Sequence, residues 1–188
     1  MAGMSFFDDL PEPPRPEPRI HQPWDPPDAE LPGIVHIDAL PLGQADQAVV
    51  AVTGISAYSA GFEIFLGAWF RPGGEGAEQP PPGPPHPKAL RRSLRLGLQW
   101  PDGRKVIGQH GGPGPGADQQ PDGPILREFM GGRSPRSLQS RWWAWPLPPA
   151  GPLEFVAEWA DFGIPETRAS IDAQLILDAA ARSVQLWR

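Results

Sequence analysis

Four histidines are the chain's most adaptable acid–base groups: His21, His36, His86 and His110. A zinc site needs such side chains close together, with cysteine or carboxylate partners at short spacing. None of the four is so placed, two stand in proline-rich segments, and His36 reads as an ordinary strand residue. Cysteine is absent, which excludes disulfides and thiolate metal sites. GISAY (54–58) puts a serine behind a glycine but lacks the second glycine of a G-x-S-x-G nucleophile elbow. GGPGPG (111–116) is glycine-rich, yet no lysine follows it and its prolines remove amides that would face a phosphate. The sequence therefore predicts no catalytic residue, no cofactor and no metal.

Two charged groups remain. Carboxylates gather late, at Glu154, Glu158, Asp161, Glu166 and Asp172. Glu154 and Glu158 would share one face of a strand with Cα atoms ~13 Å apart, wide for a glycosidase pair. The plain reading is a solvated face, and the sharper one a hydrolase using these acids. Arginines cluster at Arg91, Arg92 and Arg95, and again at Arg127, Arg133, Arg136 and Arg141. With Trp142 beside it, the second group suits an anion, a sugar or a base. Its plain reading is loop solubility plus a salt link to Glu158. A third reading has these arginines attract the chain's own acidic tail.

That tail is residues 1–32. It carries seven acids, two arginines and nine prolines, and so holds −5 of the formal charge of −6. Proline removes donors and restricts its predecessor, so an extended, disordered segment is expected up to 32. It opens with Phe6, Phe7, Asp8, Asp9 and Leu10, a pattern that fits a docking motif for a partner groove. The remaining charge is close to neutral, which argues against nucleic-acid binding. No apolar run approaches the ~20 residues of a membrane span, and no signal peptide is visible, so a cytoplasmic location is expected.

The elements that must position these groups are strands. A domain is expected over 33–188, with a Pro/Gly-rich surface loop at 72–88. GIVHIDAL reads as a strand. QAVVAVTGISAY and FEIFLGAWFR read as a hairpin, with Phe62, Ile64, Leu66, Ala68 and Phe70 on one face and Phe65 and Trp69 on the other. In SLRLGLQW, Leu94, Leu96, Leu98 and Trp100 point inward; PDG turns the chain and RKVIGQH returns. The stretch from Ser140 to Trp159 holds half of the eight tryptophans. A hairpin about PPAGP would pair Leu147 with Leu153, Trp145 with Phe155 and Trp143 with Ala157. Trp143 and Trp145 would then be core, and Trp142 exposed across from Glu158. ETRASID reads as a strand, and Ala173, Ile176, Ala180, Val184 and Trp187 as one helical stripe capped by Asp172. About nine short strands and one terminal helix predict an all-β antiparallel sandwich, or a partly closed barrel.

SFFDDLPEPP, AYSAGFEIFL, WPDGRKV, WAWPLPPAGPLEFVAEW and GIPETRASIDAQLILDAAARSVQLW resemble a set of uncharacterised actinobacterial proteins. The resemblance implies a soluble bacterial protein of this layout and carries no activity or functional residue. The expected function is a non-catalytic sandwich binding protein partners through its tail and loops. The alternatives are a carbohydrate-like ligand module using exposed tryptophan, and then the hydrolase. The candidate interaction residues are Phe6, Phe7, Asp8, Asp9, Leu10, Arg133, Arg136, Arg141, Trp142 and Glu158. Oligomeric state stays open.

Overall fold

The computed structural model of the chain describes residues 21–72, 93–111 and 121–187. In chain order the strands are β1 (Glu30–Leu31), β2 (Gly33–Val35), β3 (Leu40–Gln44), β4 (Ala48–Ala57), β5 (Phe62–Phe70), β6 (Leu94–Gln99) and β7 (Lys105–Ile107). There follow β8 (Gln109–His110), β9 (Ile125–Ser134), β10 (Ser137–Trp145), β11 (Pro152–Trp159), β12 (Ile164–Asp172) and β13 (Val184–Gln185). A short α-helix, α1 (Gln174–Ala180), sits between β12 and β13, and a 3-10 turn (Ala160–Phe162) joins β11 to β12.

Two sheets face each other. The larger runs β2-β4-β5-β10-β9-β8, with β3 sharing the free edge of β4. The smaller runs β12-β11-β6-β7. Pairing is antiparallel except between β8 and β9. The sheets do not close into a barrel; this is a sandwich. Its core is the alternation expected of one buried face per sheet. Phe62, Ile64, Leu66, Ala68 and Phe70 come from β5, Leu94, Leu96 and Leu98 from β6, and Leu153, Phe155, Ala157 and Trp159 from β11. All twelve are the residues that period two marked.

One corner depends on a glycine. The chain leaves β7 in the small sheet and enters β8 in the large sheet through Gly108, whose amide donates to the Leu96 carbonyl at 2.7 Å. A Cβ there would lie 2.5 Å from the Trp142 ring and 2.9 Å from the Leu96 oxygen. No side chain fits. Next to it His110 ties the sheets together, with Nδ1 2.9 Å from Glu128 Oε2 and Nε2 2.8 Å from the Leu94 carbonyl. His36, read from sequence as a strand residue, lies just past β2 and is exposed.

Three expectations are corrected. The first is the tryptophan hairpin. β10 and β11 do not pair: β10 lies between β5 and β9, and β11 between β12 and β6. The connecting segment 146–151 carries three prolines (Pro146, Pro148 and Pro149), which cannot donate to a ladder, and it arches from one sheet to the other. The orientation of β10 is consequently reversed. Trp142 and Ala144 face the inter-sheet core, and Trp142 is 1% exposed. Trp145 is only half-buried.

The second correction concerns the tail boundary. Regular structure begins before residue 33: Glu30–Leu31 pairs with Val184–Gln185, and Trp24 is 5% exposed. The third concerns the helix. The Gln174 amide donates to Asp172 Oδ1 at 2.9 Å, as the capping reading expected. Ala173, Ile176, Ala179 and Ala180 are buried, but the helix stops at Ala180. Val184 is instead in β13, and Trp187 is 77% exposed. Pairing with β1, plus the Gln185 amide donating to Glu30 Oε2, wins over another helical turn. Residues 1–20 and all of the 72–88 loop beyond residue 72 lie outside the described residues.

Candidate functional site

The outer face of the large sheet gathers the chemistry that sequence reading scattered. Its first row is Ser56 on β4, Glu63 on β5, Trp143 on β10 and Arg127 on β9, adjacent by register. An outward tryptophan and a carboxylate at 8% exposure need a cover. Residues 21–27 provide it. The Trp143 indole N–H donates to the Trp24 carbonyl at 2.8 Å, and Arg127 Nη2 donates to Asp25 Oδ1 at 3.2 Å. Both members of that ion pair are largely buried, at 12% and 14% side-chain exposure, so the pair is shielded from solvent screening.

Further along, Glu30 accepts from the Ser59 amide at 2.6 Å, the Ser59 hydroxyl at 2.7 Å and Gln185 at 2.9 Å. Burial pushes the Glu30 carboxyl up, but donors from Ser183, Ser59 and Gln185 outweigh it, and the group lies below the usual range. Tyr58 meets Trp143 edge-on at 5.7 Å. Burial first, then the charge of and hydrogen bond to Glu63, push its phenol up to about 12.

The second row of this face is open. Arg141 pairs in register with Phe65 and with Met130, and its guanidinium stacks 5.0 Å from the Phe65 ring centroid. A bulge on β9 places an extra residue, Phe129, beside Met130. Phe129 is 39% and Met130 55% exposed. From the fourth row, Trp69 lays its ring back over Gly67 in the third, where a Cβ would meet it at 2.4 Å. Trp69 is 40% exposed. Among the described residues the result is an apolar strip with one cation, Arg141.

The small sheet's outer face is a shallow groove of about 330 Å³ over Gly97, Val106, Ile107 and Val156. Its rim is paired charge: Arg95 with Glu158 at 2.9 Å, and Arg168 with Glu154 at 2.9 Å and Glu166 at 3.0 Å. Hydrogen bonds from Arg168 to Glu166 and Glu154 raise the Arg168 guanidinium above its ordinary value. Two of the late carboxylates, Glu154 and Glu166, thus share one arginine, while Glu158 pairs with another and does not join Glu154. Exposed pairs of this kind contribute roughly 0–1 kcal/mol each.

The predicted interaction residues separate accordingly. Arg141 stands in the apolar strip. Arg136 is exposed in the β9–β10 turn, where its carbonyl accepts from the Phe70 amide at 3.0 Å. Arg133 pairs through its backbone with Leu138, and its side chain lies outside the description. Trp142 belongs to the core, its indole donating to Ser140 Oγ at 2.8 Å. Glu158 is on the other sheet and pairs with Arg95, so the expected link to the second arginine group does not form. Phe6, Phe7, Asp8, Asp9 and Leu10 lie outside the described residues. Sequence reading missed Trp24, Asp25 and Arg127 as one unit. The signal available was a Trp-Asp pair inside a proline run, with Glu63 interrupting an apolar strand.

Among the described residues no three His, Asp or Glu side chains are grouped to hold a metal ion, and no helix is long and apolar enough to cross a membrane. No family model, curated protein or solved structure matches this chain.

Proposed function

We propose that the protein is a non-catalytic β-sandwich that binds a protein partner through its acidic, proline-rich N-terminal segment and its loops. One observation carries this reading. The C-terminal part of that segment is fastened to the sandwich by Trp24, Asp25 and Glu30, on Trp143, Arg127 and Ser59. Phe6, Phe7, Asp8, Asp9 and Leu10 are therefore tethered to a fixed root on a rigid sheet. A tethered motif of two aromatics and two acids suits an apolar groove with a basic rim. The fastening also gives the early prolines a role: they space the motif from its root at low entropic cost.

The late carboxylates weaken the hydrolase reading, because Glu154, Glu158 and Glu166 are each engaged by arginine on an open face. Burial of Trp142 weakens the carbohydrate reading, which named that side chain as its exposed tryptophan. The test is affinity capture from a lysate of the source organism, with the full chain and a chain starting at His21 as paired baits. A partner retained by the first and lost by the second supports the reading. Equal capture by both moves the interaction to the sandwich.

A further inference from the structure

We infer that the open strip on the large sheet, formed by Phe65, Trp69, Arg141, Phe129 and Met130, is a docking site for this chain's own residues Phe6–Leu10. The molecule already makes one contact of this kind. Trp24 and Asp25, an aromatic followed by an acid, lie against Trp143 and Arg127. Phe7 and Asp8 repeat that order nearer the N-terminus. Phe65 and Arg141 set an aromatic face and an arginine side by side again one row further along the same face, with apolar contact in place of the Trp143 indole donor.

Position and charge agree with this. The covered row and the open row are neighbours, two residues or roughly 7 Å apart along a strand. Residues 11–20 separate the motif from the fastened segment, and ten residues span up to about 30 Å at the polyproline rise. The reach is ample. Arg141 stacks on Phe65 and presents its positive charge to this face, whose carboxylate Glu63 is buried in the covered row. Asp8 and Asp9 complement that charge, while Phe6, Phe7 and Leu10 match the exposed Trp69, Phe129 and Met130. Docking in cis would hold the motif against the sheet until a partner competes for it. This goes beyond the proposed function, and cis docking stands or falls whether or not a partner is found.

The absence of cysteine gives a clean test. A nitroxide on Ser5→Cys in the full chain should broaden the Trp69 indole N–H signal in dilute 15N-labelled protein. Arg141→Glu, and separately Phe6→Ala with Phe7→Ala, should abolish that broadening. The Trp143 indole signal should keep its chemical shift in every variant, which shows that the fold is intact. An unbroadened Trp69 signal in the otherwise wild-type labelled chain overturns the inference. So does broadening that appears only when spin-labelled unenriched chains are mixed with unlabelled 15N chains, since the occupant would then be a second copy. Failure of the full chain to capture any partner, with broadening retained, would count against the proposed function alone.

Discussion

Cutting the chain at two places separates its ordered body from what precedes it. Removal of 1–20 leaves every described contact in place, so stability should change by no more than about 1 kcal/mol. Removal of 1–32 takes Trp24 with it, a side chain at 5% exposure. Deleting a buried aromatic typically costs about 3–5 kcal/mol. The Trp143 indole N–H then loses its acceptor, worth a further ~1–3 kcal/mol if it stays dry. Arg127 loses Asp25, and β13 loses its only strand partner among the described residues. Water entering the uncovered row offsets part of this, so about 4 kcal/mol is a reasonable expectation. Domains of this size have roughly 5–15 kcal/mol in total, so the effect is large. Guanidinium unfolding followed by far-UV circular dichroism measures it directly. An unchanged midpoint for the chain beginning at Gly33 would refute the fastening of this segment.

Other substitutions probe single features. Trp142→Ala should destabilise by about 3–5 kcal/mol and Trp145→Ala by clearly less, because only the first fills the inter-sheet core; equal denaturation midpoints would contradict the observed register. Gly108→Ala should cost ~1–3 kcal/mol through its clash with Trp142 and the Leu96 carbonyl, and an unshifted thermal midpoint would show that the corner relaxes freely. Tyr58 is the only tyrosine, so ultraviolet absorbance reports its ionisation alone, expected at about 12 in the folded chain against about 10 unfolded. Because folding raises this value, its contribution is complete below pH ~10 and declines as pH rises towards ~12; titration near 10 with the fold intact would contradict burial beside Glu63. Arg168→Ala should move stability by at most about 1 kcal/mol, since its partners are exposed, and a larger loss would mean that the small sheet depends on that network.

Strand content was legible because alternation is local. β5, β6 and β11 each bury the residues that period two assigned to them. Strand partnership was not. The Trp143–Trp159 stretch satisfies hairpin parity, yet β10 found two partners in its own sheet and β11 two in the other. Parity constrains which residues can face each other and leaves open which strands are neighbours. The arch of prolines after Trp145 carries the chain to the other sheet, where β11 meets β6, a strand distant in sequence. Counting prolines failed at 21–32 for a related reason. Proline excludes helix and central strand, but an edge segment can still be held by side chains. Trp24 and Asp25 do this against Trp143 and Arg127, more than a hundred positions away. Arg141 was recognised as a surface cation, whereas its partner Phe65 belonged to a face that sequence alone left half covered. The helical stripe was extended to Trp187 because its spacing fits; the competing ladder from β1 was invisible without the fold.

The central claim is that the aromatic pair near the N-terminus is what a partner recognises. The most direct measurement is affinity capture with wild-type protein beside the Phe6→Ala, Phe7→Ala double variant, with thermal midpoints recorded for both. The account predicts loss of the captured partner with an unchanged midpoint. Full retention of every partner by the double variant would contradict it.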